Sequence, residues 1–221
     1  MHQDLGAVKN EILLEMNPAL LKTISDLKSI NIPEERKKTL QPLVDFIRHK
    51  HLNNQPVRLN FICTHNSRRS HLSQIWSQAL AYHFGLQNIV CYSGGTEATA
   101  VYSSVIKTLK QQGFNEHKLS DGSNAIYAMK YAVNEPGIIA FSKTFDHSFN
   151  PNTEFAAIMT CSQADAGCPF IAGAEKRIPI TFEDPKAFDD TPLELEKYQE
   201  RSLQIASELH HVFSKISSNE D

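Results

Sequence analysis

The chain has 221 residues, enough to bury a full hydrophobic core as one domain or as a domain with an appendage. Charged residues make up 21% of it and the formal net charge is -3, which leaves no basic footprint for nucleic acid, and no apolar run is long enough to span a membrane. The first residues, Met1-His2-Gln3-Asp4-Leu5, lack the basic-then-apolar order of a secretory signal, and four cysteines are too few for a secreted disulfide framework, so a cytoplasmic protein is expected.

Apolar stripes at Leu13/Leu14, at Leu20/Leu21/Ile24/Leu27 and at Leu40/Leu43/Val44/Ile47 predict helices from about residue 8 to 51, punctuated by Asn17-Pro18 and Ile32-Pro33. The polar stretch from His51 to Pro56 reads as a boundary. Residues 1–55 are thus expected to form a helical extension packed on a body spanning 56–221.

Val57, Leu59, Phe61 and Ile62 predict a short strand that ends at Cys63. After Ser70 the apolar positions change to helical spacing, at Leu72, Ile75, Trp76, Ala79, Leu80 and Phe84, with Gly85 as the stop. The intervening Thr64, His65, Asn66, Ser67, Arg68 and Arg69 form a loop whose N–H groups converge at a helix N-terminus, where unpaired donors and the macrodipole favour an anion. Such a setting also favours a thiolate over a thiol. Cys63 is therefore a candidate nucleophile, Arg69 a planar clamp for two oxygens of an oxyanion, and the Ser70 hydroxyl a donor to the sulfur.

A second strand over Ile89–Ser93, the loop Gly94-Gly95-Thr96-Glu97 and a helix from Val101 to Leu109 ending near Gly113 complete a β-α-β-α start, which implies a parallel sheet. Ala125–Val133 and Ile138–Phe141 read as a β-hairpin insertion. Phe155–Thr160 is a third core strand that delivers Cys161 to the same edge as Cys63, and Ile178-Pro179-Ile180 a short fourth strand whose proline suits an edge. A helix from about Pro192 to Ile216 closes the chain. The expected class is α/β, a four-stranded parallel sheet flanked by helices.

Two further signals carry chemistry. Cys161 and Cys168 are seven residues apart just past a strand; in a regular helix their Cα atoms would lie about 10 Å apart, beyond the roughly 7 Å reach of a disulfide, so a bridge between them requires unwinding. Gly167 and Pro169 make that loss of helix inexpensive. Two unrelated thiols or half of a zinc site are the alternatives, and His49/His51 and His210/His211 diverge around a helix rather than completing a metal set. Asp184, in Glu183-Asp184-Pro185 after the fourth strand, is a candidate general acid; an ordinary Asp-Pro turn is the other reading.

Taken together, Phe61-Ile62-Cys63-Thr64, Asn66-Ser67 with Arg69-Ser70, Tyr92-Ser93 with Gly95-Thr96-Glu97, Cys161, Cys168-Pro169 and Phe182-Glu183-Asp184-Pro185 resemble the thioredoxin-coupled arsenate reductases, which share the low-molecular-weight protein tyrosine phosphatase fold. The likeness covers about residues 56 to 216. It implies that Cys63 attacks arsenate held by the loop and Arg69, with Asp184 protonating the departing oxygen. It implies further that Cys161 attacks the adduct to release arsenite and that Cys168 takes over the disulfide and presents it to thioredoxin. No cofactor is implied.

The chain departs from the family pattern at His65, where glycine is usual, at Arg68, where a second cysteine is usual, and at Gln74, where a potassium-holding Glu often stands. Asn66 and Ser93 still match that potassium site. If the backbone requires positive φ at His65, that residue is strained. Two other readings use the same residues: a phosphomonoester phosphatase working through a Cys63 phosphocysteine, and an oxyanion or redox sensor without turnover. The tyrosines that usually follow Asp-Pro in tyrosine phosphatases are replaced by Lys186-Ala187-Phe188.

Overall fold

The computed structural model describes residues 15–168 and 170–217, so Leu13, Leu14 and Pro169 lie outside the described residues. Helices α1 (Pro18–Leu27) and α2 (Glu34–Leu52) precede strand β1 (Val57–Cys63), helix α3 (Arg69–His83), strand β2 (Ile89–Gly95) and helix α4 (Ser103–Gln111). Three short strands follow, β3 (Asn115–Lys118), β4 (Tyr127–Lys130) and β5 (Ile138–Ala140). The chain then forms β6 (Phe155–Met159), the short helix α5 (Ser162–Gly167), β7 (Ala174–Pro179) and the long helix α6 (Glu194–Ser217).

The central sheet has four strands in the order β2-β1-β6-β7, every pair parallel, as expected from the sequence. β1 lies in the interior of the sheet, and all of its residues except Arg58 are buried, which is why the segment reads as a nearly continuous apolar run. Pro179 ends the edge strand β7, where its missing N–H costs no ladder bond. α3 is buried almost all round between the sheet and α6. Its Trp76 donates Nε1–H to Ser202 Oγ at 2.9 Å and meets the Phe114 ring edge-on at 5.0 Å.

The extension packs into the same core. Leu20, Ile24, Leu40, Leu43 and Ile47 belong to one buried cluster with Leu59 and Ile158 of the sheet and Val212 and Phe213 of α6. Asn17 caps α1 by accepting the Ala19 N–H at 3.1 Å, and Pro18 occupies the first turn, where its lack of a donor costs nothing. Among the described residues, no helix is long and apolar enough to cross a membrane.

The insertion is larger than the expected hairpin. β4 and β5 pair antiparallel, and β3 adds a third antiparallel strand on the other side of β4. Its sequence, Asn115-Glu116-His117-Lys118, has no apolar alternation because it buries almost nothing; pairing with β4 alone makes it a strand. The chain leaving this sheet, residues 141–145, lies along the loop that follows Cys63, with Thr144 bridged to Gly95.

Candidate active site

Five consecutive carbonyls, beginning with Cys63 at the end of β1, accept hydrogen bonds from outside the loop. Cys63 O accepts from Thr96 N at 3.1 Å, and Thr64 O from Glu97 N at 2.8 Å and Thr96 Oγ1 at 3.1 Å. His65 O accepts from Thr99 Oγ1 and Ser142 Oγ, Asn66 O from His71 Nε2, and Ser67 O from Tyr102 N. In a trans peptide the N–H points opposite to the carbonyl, and the described chain contains no cis bond. Turning these carbonyls outward therefore turns the N–H groups of residues 64–68 inward, above the N-terminus of α3. The result is a cradle for an oxyanion. Gly95 permits the close approach this needs, since a Cβ there would lie 2.7 Å from both Asn66 N and Thr64 O.

The strain expected at His65 falls one residue later. Among the described non-glycine residues with positive φ is Asn66, at 44°, and His65 is not one of them. Asparagine tolerates this conformation because its short amide bonds locally. Asn66 Oδ1 accepts the Lys143 N–H at 2.9 Å, and Nδ2 donates to Ser70 Oγ at 2.9 Å. Ser70 Oγ, which accepts from Asn66, also lies within hydrogen-bond distance of Cys63 Sγ, 3.1 Å away. Burial, and then the charge of Lys143, lower the pKa of His71 to about 3, so its ring is neutral. Nε2–H then donates to Asn66 O at 2.9 Å, and Nδ1 accepts from Ser93 Oγ at 3.2 Å. Asn66 Oδ1 thus accepts from Lys143, Ser93 Oγ donates to His71, and Gln74 donates to Cys91 O and Ile139 O. Gln74 Oε1 is buried with no partner among the described residues. No group of three or more His, Cys, Asp or Glu among the described residues makes a metal site.

The two arginines diverge. Arg69 donates Nη1–H to Phe182 O at 2.9 Å and pairs through Nη2 with Asp184 Oδ2 at 2.5 Å, while its buried Nε has no partner among the described residues. The candidate clamp and the candidate acid are therefore in direct contact. Arg68, counted with the oxyanion ligands on sequence grounds, sends its guanidinium elsewhere. It bonds Tyr198 Oη at 2.5 Å, pairs with Asp189, and lies 4.2 Å over the Tyr102 ring. Its backbone N–H faces the cradle. His65 is half-exposed, with Nε2 3.8 Å from Glu97 Oε2.

The three candidate relay thiols share one apolar cluster at the carboxyl edge of the sheet. Cys63 and Cys161 are buried there with Ile62, Met159 and Ala164, and Cys168 packs against them from a partly exposed position. Thr64 Oγ1 lies 3.4 Å from Cys161 Sγ, linking the loop to the second thiol. Cys161 caps α5, its sulfur accepting the Ala164 N–H at 3.3 Å, and Cys168 follows the last turn. All are free thiols. Cys91, in contrast, is a core thiol whose pKa is raised by burial.

With this cradle in place, the family comparison falls on the strand, loop and helix that build it. Residues 58–132 match the low molecular weight phosphotyrosine protein phosphatase family. The expected resemblance is borne out there, and the observed sheet bears out the expected fold. Among solved structures, a low molecular weight phosphotyrosine phosphatase from Vibrio cholerae O395 aligns with a TM-score of 0.49 at 14% identity, covering 72% of this chain and 94% of that one. An arsenate reductase from Archaeoglobus fulgidus aligns with a TM-score of 0.46 at 16% identity, covering 71% and 98%. A low molecular weight protein tyrosine phosphatase from T. tengcongensis aligns at 0.43 with 18% identity, covering 72% and 97%. Comparison of the sequence with curated proteins returns no match.

The matched segment holds Cys63, Arg69 and Ser70 and ends before Cys161, Cys168 and Asp184. Sequence reasoning missed His71, Ser142 and Lys143, which support the loop from behind, and the carbonyl of Phe182, which holds Arg69. A histidine and a lysine in apolar surroundings left a faint signal; a backbone carbonyl left none.

Proposed function

We propose that the chain reduces arsenate to arsenite through a thiol relay that a thioredoxin-type dithiol regenerates in the cytoplasm. The observation that carries this reading is the gathering of Cys63, Cys161 and Cys168 in one cluster beside the oxyanion cradle. A phosphatase needs only the first of these thiols. The Cys63 thiolate, steadied by Ser70, attacks arsenic held by the loop N–H groups and Arg69, and Asp184 protonates the departing oxygen, which leaves as water. Cys161 then attacks the Cys63 sulfur. The arsenic–sulfur bond breaks, its electron pair stays on arsenic as arsenite departs, and a Cys63–Cys161 disulfide forms. Cys168 attacks Cys161, freeing Cys63 and leaving Cys161–Cys168 for an external dithiol to reduce.

The second reading is a phosphomonoester phosphatase, favoured by the description of the matched family and by the contact of Arg69 with Asp184, which serves phosphoryl transfer equally. Turnover in Cys161→Ser and Cys168→Ser separates the two. Under the reductase reading both variants lose multiple-turnover arsenite release with a thioredoxin system, whereas Cys63-dependent phosphate release from an aryl phosphate survives in both. Arsenite release that persists without Cys161 overturns the relay. Brisk phosphate release with no arsenite release from the wild type establishes the phosphatase.

A further inference from the structure

One side chain carries the helical extension to the candidate acid. Arg36, on α2, bonds Glu208 Oε2 of α6 through both Nε and Nη2 at 2.8 Å, against a carboxylate side chain only 4% exposed. Nη2 also donates to Thr181 O at 3.0 Å, and the guanidinium carbon lies 4.9 Å from the centre of the Phe182 ring. Phe182 is the residue whose carbonyl accepts from Arg69, and Asp184 stands two residues beyond it. Fixed contacts therefore run from α6 through Arg36 to Thr181 and Phe182, and from there to Arg69 and Asp184.

The sheet's own hold on this segment ends at Phe182, whose N–H donates to Thr160 O at 3.1 Å. An oxyanion in the cradle competes with Phe182 O and Asp184 for the donors of Arg69, loosening one of the two side-chain anchors when the acid is needed. Among the described residues the polar and ring partners of Arg36 are Glu208, Thr181 and Phe182, so its grip does not depend on the donors of Arg69. Glu208 fixes its rotamer, which leaves the other edge and the flat face of the guanidinium for the peptide and the ring. We propose that Arg36 is a positioning residue for Asp184, making the extension a working part of the site, an inference that rests on the reading of Asp184 as proton donor.

The alternative is that Arg36 only neutralises a buried carboxylate. Arg36→Lys keeps a cation against Glu208 and preserves the fold, but a lysine cannot also bond Thr181 and lie flat on Phe182. Arg36→Met with Glu208→Gln removes charge and partner together. These variants and Asp184→Asn are compared with the wild type on phenyl phosphate, whose leaving group needs a proton, and on p-nitrophenyl phosphate, whose leaving group needs far less help, with thermal unfolding as a check on folding. Asp184→Asn is expected to lose about 10²–10⁴ in kcat on phenyl phosphate and much less on the nitro compound. The Arg36 variants are expected to lose about tenfold in kcat on phenyl phosphate, less than about twofold on the nitro compound, with KM unchanged on both. Equal losses on the two substrates, or none, overturn the positioning role. If Asp184→Asn is itself blind to the leaving group, or the wild type hydrolyses neither substrate, the reading of Asp184 falls and takes the proposal with it.

Discussion

The adjacent arginines of the loop have opposite duties. Arg69 keeps a buried Nε with no partner among the described residues, beside donors that an oxyanion can recruit, while Arg68 directs Nε to Tyr198 and Nη2 to Asp189 and lies over the Tyr102 face. Arg69→Met should therefore weaken protection of Cys63 by arsenate against alkylation at least about 100-fold, and Arg68→Met less than about threefold. The cost of Arg68→Met appears in stability instead, about 3 kcal/mol by urea unfolding, because Asp189 loses its cation in a mostly buried setting. The cysteine, serine and clamp were legible at this scale because their chemistry is written in their spacing. The split between Arg68 and Arg69 was not, since it depends on Asp189 and Tyr198, more than a hundred residues away.

His71 gives the fold a pH dependence of definite sign. Its pKa is lowered to about 3 by burial and then by the charge of Lys143, well below the 6.5 usual for histidine. The unfolded chain takes up a proton below pH 6.5 that the folded chain refuses, so the stability supplied by the neutral ring is complete above that pH and is lost as the pH falls. Denaturant titrations should show a loss from this group of about 2 kcal/mol between about pH 7 and about pH 5. His210, lowered to about 4 chiefly by burial, adds a slope of the same sign. The readout is therefore the difference between wild type and His71→Gln, which retains a donor for Asn66 O. A variant with the same slope as the wild type contradicts the assignment.

Among the elements, α5 is the one that the proposed relay requires to change. Its six residues separate Cys161 from Cys168, and a regular helix keeps such positions too far apart to bridge. Arg177 on β7 holds the far end, donating Nε–H to Cys168 O at 3.0 Å and pairing with the Asp165 carboxylate at 2.6 Å. Arg177→Met should release this end and raise the rate of Cys161–Cys168 disulfide formation under a mild thiol oxidant by about three- to tenfold, followed by loss of free thiol. An unchanged rate would mean that the helix opens elsewhere. The relay segment was legible as two thiols flanking Gly167, but its latch was not, because Arg177 lies in a mixed polar stretch whose partners only the β6–β7 pairing brings near. β3 was missed for a related reason: a strand formed by pairing alone leaves no apolar period.

Across the whole molecule, the extension and the sheet share one core. Leu43 of α2 is fully buried in the cluster that holds Leu59 and Ile158, so Leu43→Ala should cost about 2–5 kcal/mol. Trp76, the single tryptophan, is buried between sheet and α6, and its fluorescence should report the same unfolding midpoint as far-UV circular dichroism. Two separated transitions would show that the extension folds independently. The apolar stripes announced these helices, but the partners of their buried faces and the reach of Arg36 to Thr181 lie in the packing, which no local pattern records.

The most direct test of the thiol relay is disulfide mapping by mass spectrometry after the reduced protein meets arsenate, in wild type and in Cys168→Ser. The account predicts arsenate-dependent Cys161–Cys168 in the wild type and Cys63–Cys161 in the variant. Absence of any arsenate-dependent disulfide in either protein would contradict it.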